Sequence, residues 1–599
     1  MSDIGTVSAE PPARAFQLPP ARWILPECDP NLASALRESL SVHPVTARIL
    51  AARGFADPAA AREFLSPQLS ALHDPFSILG MDRAVARLKA ALANRESILL
   101  YGDYDVDGTS SVAVLKKALE ILGGRVDFHV PHRLKEGYGL RADVIERAAA
   151  KGVQLIVSVD TGIRAAQAVH QANRLGMEVI ITDHHLPDAE LPPALTVLNP
   201  NQHGCSYPNK NLCGAGVVFK LVQALLAKSE LTVARQNALL DSFLKPVAIA
   251  TVADIVPLTG ENRVIVRRGL LGLSQVRNPG LRSLLEVAGF DEGECPSAHQ
   301  VAFRLAPRIN AAGRMDDARH VIELFLTADL ERARELAGQL DALNRERQKI
   351  EAEIVEQILA ECESRAAHAL DPAMVFAGSG WHLGVLGIVA SRLVERFSRP
   401  VFVLSDAPAE ASGIDGCFSG SGRSIAGFHL LEALESMPEL FTKFGGHRQA
   451  AGLTLPAENV ESFRTQFAAF AGSRLNEDDL RPRFSVDAII ELSDLTSGCV
   501  QQLLNLGPFG FGNPNPILMA SELEIAGPPR VIREGKHFNV PVRHGNRVFW
   551  CKAWNFNHHA PLLQPGSQID ALLQIEDDPY SRKRGYESWC ITLKDIRPQ

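Results

Sequence analysis

From Ser97 onward, short continuous apolar runs alternate with helix-length amphipathic stretches. The run SILLYGD leads into a helix that Gly123 and Gly124 end, and RVDFHVP follows. A helix around Ala142 to Gly152 precedes VQLIVSVD, another reaches Gly176, and MEVIITDHH comes next. Runs that are apolar at every position predict a parallel sheet covered by helices on both faces. We place this domain at 76–328, behind a leader and helical lead-in over 1–75. In 329–365 Leu336, Leu340, Leu343, Ile350, Ile354 and Ile358 recur on one stripe, predicting a helix. At 1.5 Å per residue it spans roughly 55 Å. It is either a surface helix of the first domain or a connector. A second α/β pattern follows it over 366–482: AMVFAGSGWH, LGVLGIVASRLVERF, then PVFVLS. Over 483–599 the helical period gives way to alternating strands (HFNVPVRH, SWCITLKDI) and the turn-rich LGPFGFGNPNP, which predict a small β-barrel or sandwich.

Composition narrows the class without changing this outline. With 46% hydrophobic and 22% charged residues, the chain reads as globular. No apolar run approaches the ~18 residues a membrane span needs. The N-terminus has no basic segment followed by an apolar one, so no secretory signal is expected. The nine cysteines form no CxxC pair, and Cys205 and Cys213 match no zinc spacing, which suits reduced thiols in a cytoplasmic protein. A net charge of −8 gives no global signature for nucleic acid, but a local basic track is enough for binding.

The candidate chemistry begins at YGDYDVDG, where Asp103, Asp105 and Asp107 alternate before Gly108. A calcium loop starting at Asp103 would need a glutamate at its twelfth position, which is Val114, and a helix before it, where SILLYGD is a strand. The acids therefore read as the end of a strand. Other apolar runs end alike: LIVSVDTG at Asp160, VIITDHH at Asp183, His184 and His185, and VAIATVADIVPL, read as a further strand, at Asp254. Parallel α/β sheets bind ligands at the carboxyl ends of their strands, so these residues should converge. Clustered carboxylates repel one another unless cations intervene. Five or six Asp and His groups are too many for one zinc; they suit two ions, and hard oxygen with some imidazole favours Mn²⁺ or Mg²⁺. Two such ions suit phosphoryl transfer.

The strings DYDVDG, VSVDTG, TDHH and VADIVPL resemble the four motifs of the DHH phosphoesterase superfamily. PRINAAGRM (Pro307 to Met315), GSGRS (Gly420 to Ser424) and GGHRQAAG resemble its RecJ branch in particular, and the likeness covers about 90 to 599. It implies a DHH domain and a DHH-associated domain joined by the long helix, with a C-terminal OB-type barrel. It also implies Asp105, Asp107, Asp160, His184 and Asp254 as metal ligands, with Asp160 bridging, and His185 facing the scissile phosphate. Asp103 would ligate directly or orient a ligand. Some relatives carry a histidine ligand where this chain has Tyr101, which leaves that place to Asp103 or water.

FSGSGRSI reads as a Gly-rich loop able to form an anion nest. By the resemblance Ser421 and Arg423 hold the 5′ phosphate, helped by Arg133, while Arg308, Arg314 and His447 meet backbone phosphates. Trp381 either stacks on a base or packs. In the last segment Trp550, Trp554 and Trp589 are interleaved with Lys536, Arg543, Arg547, Lys552, Arg582, Lys583 and Arg584, the mixture that single-strand platforms use. The implied activity is a single-stranded-DNA-specific 5′→3′ exonuclease releasing 5′-mononucleotides, in recombination and repair. Implied partners are single-stranded DNA, a single-strand-binding protein and a RecQ-type helicase; the chain is expected to be a cytoplasmic monomer away from membranes. Two alternatives stand beside it: a DHH phosphoesterase acting on short RNA oligonucleotides or cyclic dinucleotides, and a non-catalytic single-strand-binding replication scaffold. The C-terminal barrel argues against the first, and the retained acids against the second.

Overall fold

The computed structural model describes residues 19–133, 136–137, 139–364, 371–406, 416–532, 536–578, 581 and 587–599. The expected leader over 1–18 and the basic run Arg582, Lys583 and Arg584 lie outside them.

After a short strand β1 (Arg22–Ile24), the first lobe holds β2 (Ser97–Tyr101), β3 (Arg125–His129), β4 (Leu155–Val159), β5 (Glu178–Thr182) and β6 (Thr196–Leu198). All pair in parallel in the order β3-β2-β4-β5-β6. The continuous apolar runs are explained by two covered faces. Ile98, Leu100, Leu155 and Val157 enter the core beneath helices Met81–Asn94, Val106–Ile121 and Gly214–Ala227, while Leu99, Tyr101 and Ile156 pack with Ala142–Ala150 and Ala166–Arg174. Chain order reverses at β2, which has β3 on one side and β4 on the other. A crevice opens at such a switch point, beyond the carboxyl ends of β2 and β4.

One expected strand is a helix. VAIATVA closes the helix Val233–Ala253, whose last turns are buried from Pro246 to Val252. An apolar run without alternation fits a buried helix as well as a buried strand, and here the 21-residue length belongs to a helix.

The long helix is Leu330–Ser364, 35 residues. Ala333, Leu336, Ala337 and Leu340 sit in the core of the first lobe, whereas Ile354 and Ile358 sit in that of the second. One stripe thus serves two cores, and the helix is a connector.

The second sheet runs β10-β11-β9-β8-β7. Strands β7 (Met374–Gly378) and β8 (Val401–Asp406) are parallel, while β9 (Cys417–Arg423), β10 (Lys443–Gly446) and β11 (Ala450–Pro456) add antiparallel pairings. This corrects the loop expected at FSGSGRSI: it is the central strand β9, with its backbone in the ladder and no anion nest. The glycines mislead because they serve packing. A Cβ at Gly422 would meet the Phe402 ring at 2.5 Å, and one at Gly420 would meet the Val403 carbonyl at 2.3 Å. The opposite face of β9 carries Ser419, Ser421 and Arg423.

In the last segment β12 (Arg483–Ser485) and β13 (Ala488–Ile489) precede β14 (Leu518–Ile525), β15 (Arg530–Ile532), β16 (His537–His544), β17 (Arg547–Ala553), β18 (Gln568–Asp577) and β19 (Trp589–Pro598). The order β14-β18-β19-β17-β16 closes on itself through β14–β16 pairing, giving a five-stranded barrel. The N-terminal helices Pro30–Leu40, Pro44–Ala52 and Pro58–Leu65 share its core through Leu36, Ile49 and Phe64, and β1 pairs with β12. Each begins with proline behind an N-cap (Asp29, His43, Asp57), which pre-sets the first helical φ and satisfies early N–H groups.

Candidate metal centre and nucleic-acid cleft

The crevice collects the acids. Asp103 and Asp105 follow β2, and Asp105 caps the helix Val106–Ile121 by accepting from the Gly108 N–H at 2.9 Å. A Cβ at Gly108 would lie 2.5 Å from the Asp103 carbonyl, so only glycine lets the chain turn this tightly into the helix. Asp107 lies in the first helical turn, 1% exposed, and accepts from the Gly214 and Ala215 N–H groups at 2.6 and 2.8 Å. Those donors open the helix Gly214–Ala227, whose N-terminus favours a carboxylate. Asp160 follows β4 in the left-handed region at φ 60°, a strained conformation for a residue with a side chain. Gly214 makes room for it: a Cβ there would fall 2.5 Å from Asp160 Oδ1.

His184 Nε2 stands 3.2 Å from Asp160 Oδ1 and 3.8 Å from both Asp107 Oδ2 and Asp254 Oδ2. Three groups offer ligand atoms within 4.8 Å of one another: Asp103, Asp105 and Asp160; Asp107, His184 and Asp254; and Asp160, His184 and His185. Asp160 and His184 each belong to two of them. Asp103 Oδ1, Asp160 Oδ1 and Asp254 Oδ2 are buried and accept no hydrogen bond from the described residues. Burial and then the neighbouring acids push Asp103 and Asp160 well above the usual carboxylate range, and Asp254 up to about 9. Burial holds the His184 imidazole below its ordinary value, keeping it neutral and able to ligate. Buried acceptors without donors, several acids and one neutral imidazole fit a pair of hard divalent cations.

His185 has a side chain 45% exposed, so partly buried, and is oriented by Asp183, whose Oδ1 lies 2.7 Å from Nδ1. Burial lowers the His185 pKa, but the Asp183 hydrogen bond and charge outweigh it, and the net shift is upward. Asp183 is fully buried and also accepts from the N–H groups of Ile163, His184 and His185. Asn199 and Asn201 hold the carbonyls of His185 and His184, each at 2.8 Å. Asn310 accepts from the Val106 N–H at 3.1 Å, buttressing the first motif from PRINAAGRM. Sequence reasoning placed Asp183 among the converging strand-end residues without a specific role and assigned none to Asn199, Asn201 or Asn310; the LNPN string at the end of β6 was the available signal for Asn199 and Asn201. Tyr101 points away from the acids, its hydroxyl donating to the Gly139 carbonyl at 3.0 Å from within the opposite core.

The expected phosphate-binding residues divide. Arg423 tucks against Gly387, where a Cβ would lie 2.8 Å from its Nη2, at the start of the helix Leu386–Phe397. Arg314 donates to the Gly384 carbonyl at 3.0 Å, and Arg133 lies over the Tyr104 ring at 5.1 Å. These three arginines feel one another. Burial first, then the Arg133 and Arg423 charges, bring Arg314 down to about 10, and burial with Arg133 lowers Arg423. His447, beyond β10, is lowered by partial burial and then by Arg423. Such a cation-rich patch between two lobes suits polyanion binding. Ser421 shares the Arg423 face of β9. Arg308 is engaged elsewhere, in an ion pair with Asp341 of the connector at 2.9 Å. Trp381 donates to Gln357 Oε1 of the same helix at 2.8 Å and packs against Gly378. On the barrel Trp550 and Trp554 are 44% and 46% exposed, with Arg530 4.4 Å above Trp550, whereas Trp589 is half-buried against the core.

Three family models match successive parts of the chain: the DHH family N-terminal domain over 97–251, the DHHA1 domain over 370–473 and the RecJ OB domain over 486–590. The single-stranded-DNA-specific exonuclease RecJ of Bacillus subtilis is 37% identical over 94% of this chain and 69% of its own length. The chain belongs to the RecJ family. Crystal structures of RecJ from Thermus thermophilus extend the likeness to three dimensions. The Mn²⁺ complex superposes with a TM-score of 0.80 at 29% identity, covering 97% of this chain and 80% of that one. The Mg²⁺ complex gives 0.75 at 28%, covering 97% and 79%. The RecJ architecture thus includes both α/β lobes and the closed barrel described above. No helix among the described residues is long and apolar enough to cross a membrane.

Proposed function

We propose that this chain hydrolyses single-stranded DNA from its 5′ end, releasing 5′-mononucleotides, in DNA recombination and repair. The carrying observation is the set of buried, donor-less oxygens on Asp103, Asp160 and Asp254 at the switch point. The arginine group beside them adds a means of holding phosphate. Two Mn²⁺ or Mg²⁺ ions, held by Asp103, Asp105, Asp107, Asp160, His184 and Asp254, would lower the pKa of water and spread the charge of the phosphate. Asp183 fixes the imidazole of His185 through Nδ1, so that the ring meets the scissile phosphate, neutralises its charge and gives the leaving oxygen a proton. Arg423, Ser421 and Arg133 hold the 5′ phosphate, with Arg314 and His447 on the phosphates behind it. The exposed Trp550 and Trp554 suit base stacking along the barrel. The RecJ family further suggests a single-strand-binding protein and a RecQ-type helicase as partners of a monomer in the cytoplasm.

The deciding experiment follows a long 5′-phosphorylated single strand with Mn²⁺, Mg²⁺ or EDTA, using the wild type and Asp160→Ala. We expect mononucleotide release with either ion and none with EDTA. Asp160→Ala should be inactive with an unchanged circular dichroism spectrum. Preferential cleavage of dinucleotides over the long strand, or full activity of Asp160→Ala, would overturn the reading.

A further inference from the structure

Asp254 stands at the end of a helix, on a turn that its own neighbours do not explain. Ile255, the next residue, is β-branched yet has φ 56°, and the residue is 68% exposed, so local packing does not impose this backbone. The restraint lies three residues on and comes from the barrel domain. The Leu258 N–H donates to the Phe511 carbonyl at 2.8 Å. Gly510 lies so close that a Cβ would fall 2.7 Å from Leu258 Cδ1, and a Cβ at Gly512, itself at φ 72°, would fall 2.9 Å from Pro257 Cβ. From the other side Asn262 donates to the Pro257 carbonyl at 3.0 Å.

The loop that makes these contacts is itself rigid. Gly510 and Asn513 exchange backbone hydrogen bonds of 2.9 and 3.1 Å. The Asn513 side chain, 2% exposed, donates to the Leu506 and Pro508 carbonyls and accepts from Arg53. Arg263, 1% exposed, reaches from the catalytic lobe to the Gly507 carbonyl at 2.8 Å and to the Phe64 carbonyl of the N-terminal helices.

We propose that the barrel-domain loop Gly507–Asn513 is a positioning element of the metal centre: by clamping Pro257 and Leu258 it holds the strained turn that aims Asp254 at the ions. The loop touches neither ion nor phosphate; it acts through the backbone after the ligand. The barrel domain then has two roles, contact with the strand and completion of the ligand set. The inference rests on the assignment of Asp254 as a ligand.

The test measures Mn²⁺ binding to the full-length protein by titration calorimetry, without DNA, for Gly510→Val, Gly512→Ala, the double variant Gly510→Val/Leu258→Ala, and Asp254→Asn. Both glycine variants should bind Mn²⁺ about 10- to 100-fold more weakly, as removal of an orienting partner does. Trimming Leu258 should restore the affinity of Gly510→Val, a rescue that general destabilisation would not give. Wild-type Mn²⁺ affinity in both folded glycine variants would overturn the positioning role, and so would a loss that Leu258→Ala fails to recover. If Asp254→Asn itself binds Mn²⁺ normally, the ligand assignment fails instead. Should Gly510→Val not fold, Gly512→Ala decides alone.

Discussion

Asp183 shows how a residue that touches neither ion nor substrate can govern the site. Its carboxylate is wholly buried, yet it stays below the usual range: burial pushes it up, and the His185 hydrogen bond, the His185 charge and the Ile163 N–H outweigh that. One side chain therefore sets both the fold of the DHH loop and the tautomer of its second histidine. Asp183→Asn keeps the volume but cannot offer the same charge-assisted acceptor. We expect kcat on single-stranded DNA to fall about 10²- to 10⁴-fold, the usual worth of a positioned acid or base. The affinity for Mn²⁺ should change far less, because the carboxylates and His184 remain. Steady-state rates and calorimetric Mn²⁺ titration of the same preparation separate the two effects, and an unaltered kcat would remove Asp183 from the mechanism.

At the scale of elements, what sequence reveals depends on whether a pattern has one physical cause. The parallel sheet was legible because runs apolar on both faces have few other uses in a strand-length segment, and the acids ending β2, β4 and β5 were legible with it. The carrier of Asp254 was not, since a fully buried helix end reads like a strand. The glycines of β9 were ambiguous for the opposite reason: glycine serves turns and close packing alike, and here Phe402 and Leu404 occupy the space. The helix Gly214–Ala227, whose amides hold Asp107, was hidden by its almost wholly apolar composition, broken only by Lys220 and Gln223. It is anchored by a pair that sequence could not match up, Lys220 with Glu261 at 3.0 Å, both side chains fully buried. The Tyr207 hydroxyl donates to the other Glu261 oxygen at 2.7 Å, closing the network. Lys220→Met leaves that carboxylate buried without its cation and should destabilise the protein by about 3–5 kcal/mol. Urea denaturation of the metal-free form measures it; a loss under ~1 kcal/mol would show that Tyr207 and the surrounding backbone suffice.

For the molecule as a whole, the metal centre is a source of instability that bound cations remove. Burial first, then mutual repulsion, raise Asp103 and Asp160 well above the ordinary carboxylate range and Asp254 to about 9. In the unfolded chain the same groups ionise near pH ~4. Between those values the folded, metal-free protein binds more protons than the unfolded one, so its stability falls as pH rises. Below about pH 4 both states are protonated and the penalty vanishes; above the folded pKa both are ionised and the loss is complete. Divalent cations bind the ionised acids of the folded state only, so they stabilise it more as pH rises and fewer protons have to be displaced. The Tm gained on adding saturating Mn²⁺ to protein prepared in EDTA should therefore grow from about pH 6 to about pH 8.5, because the metal-free Tm declines across that window. Scanning calorimetry at both pH values, with and without Mn²⁺, gives the comparison directly, and Asp254→Asn should flatten part of the metal-free decline by removing one titrating acid. A metal-free Tm independent of pH, with a constant Mn²⁺ increment, would mean that these carboxylates do not share one desolvated site. The loop from the barrel would then be clamping a turn whose carboxylate lies outside the ion-binding site, and the two predictions would fail together.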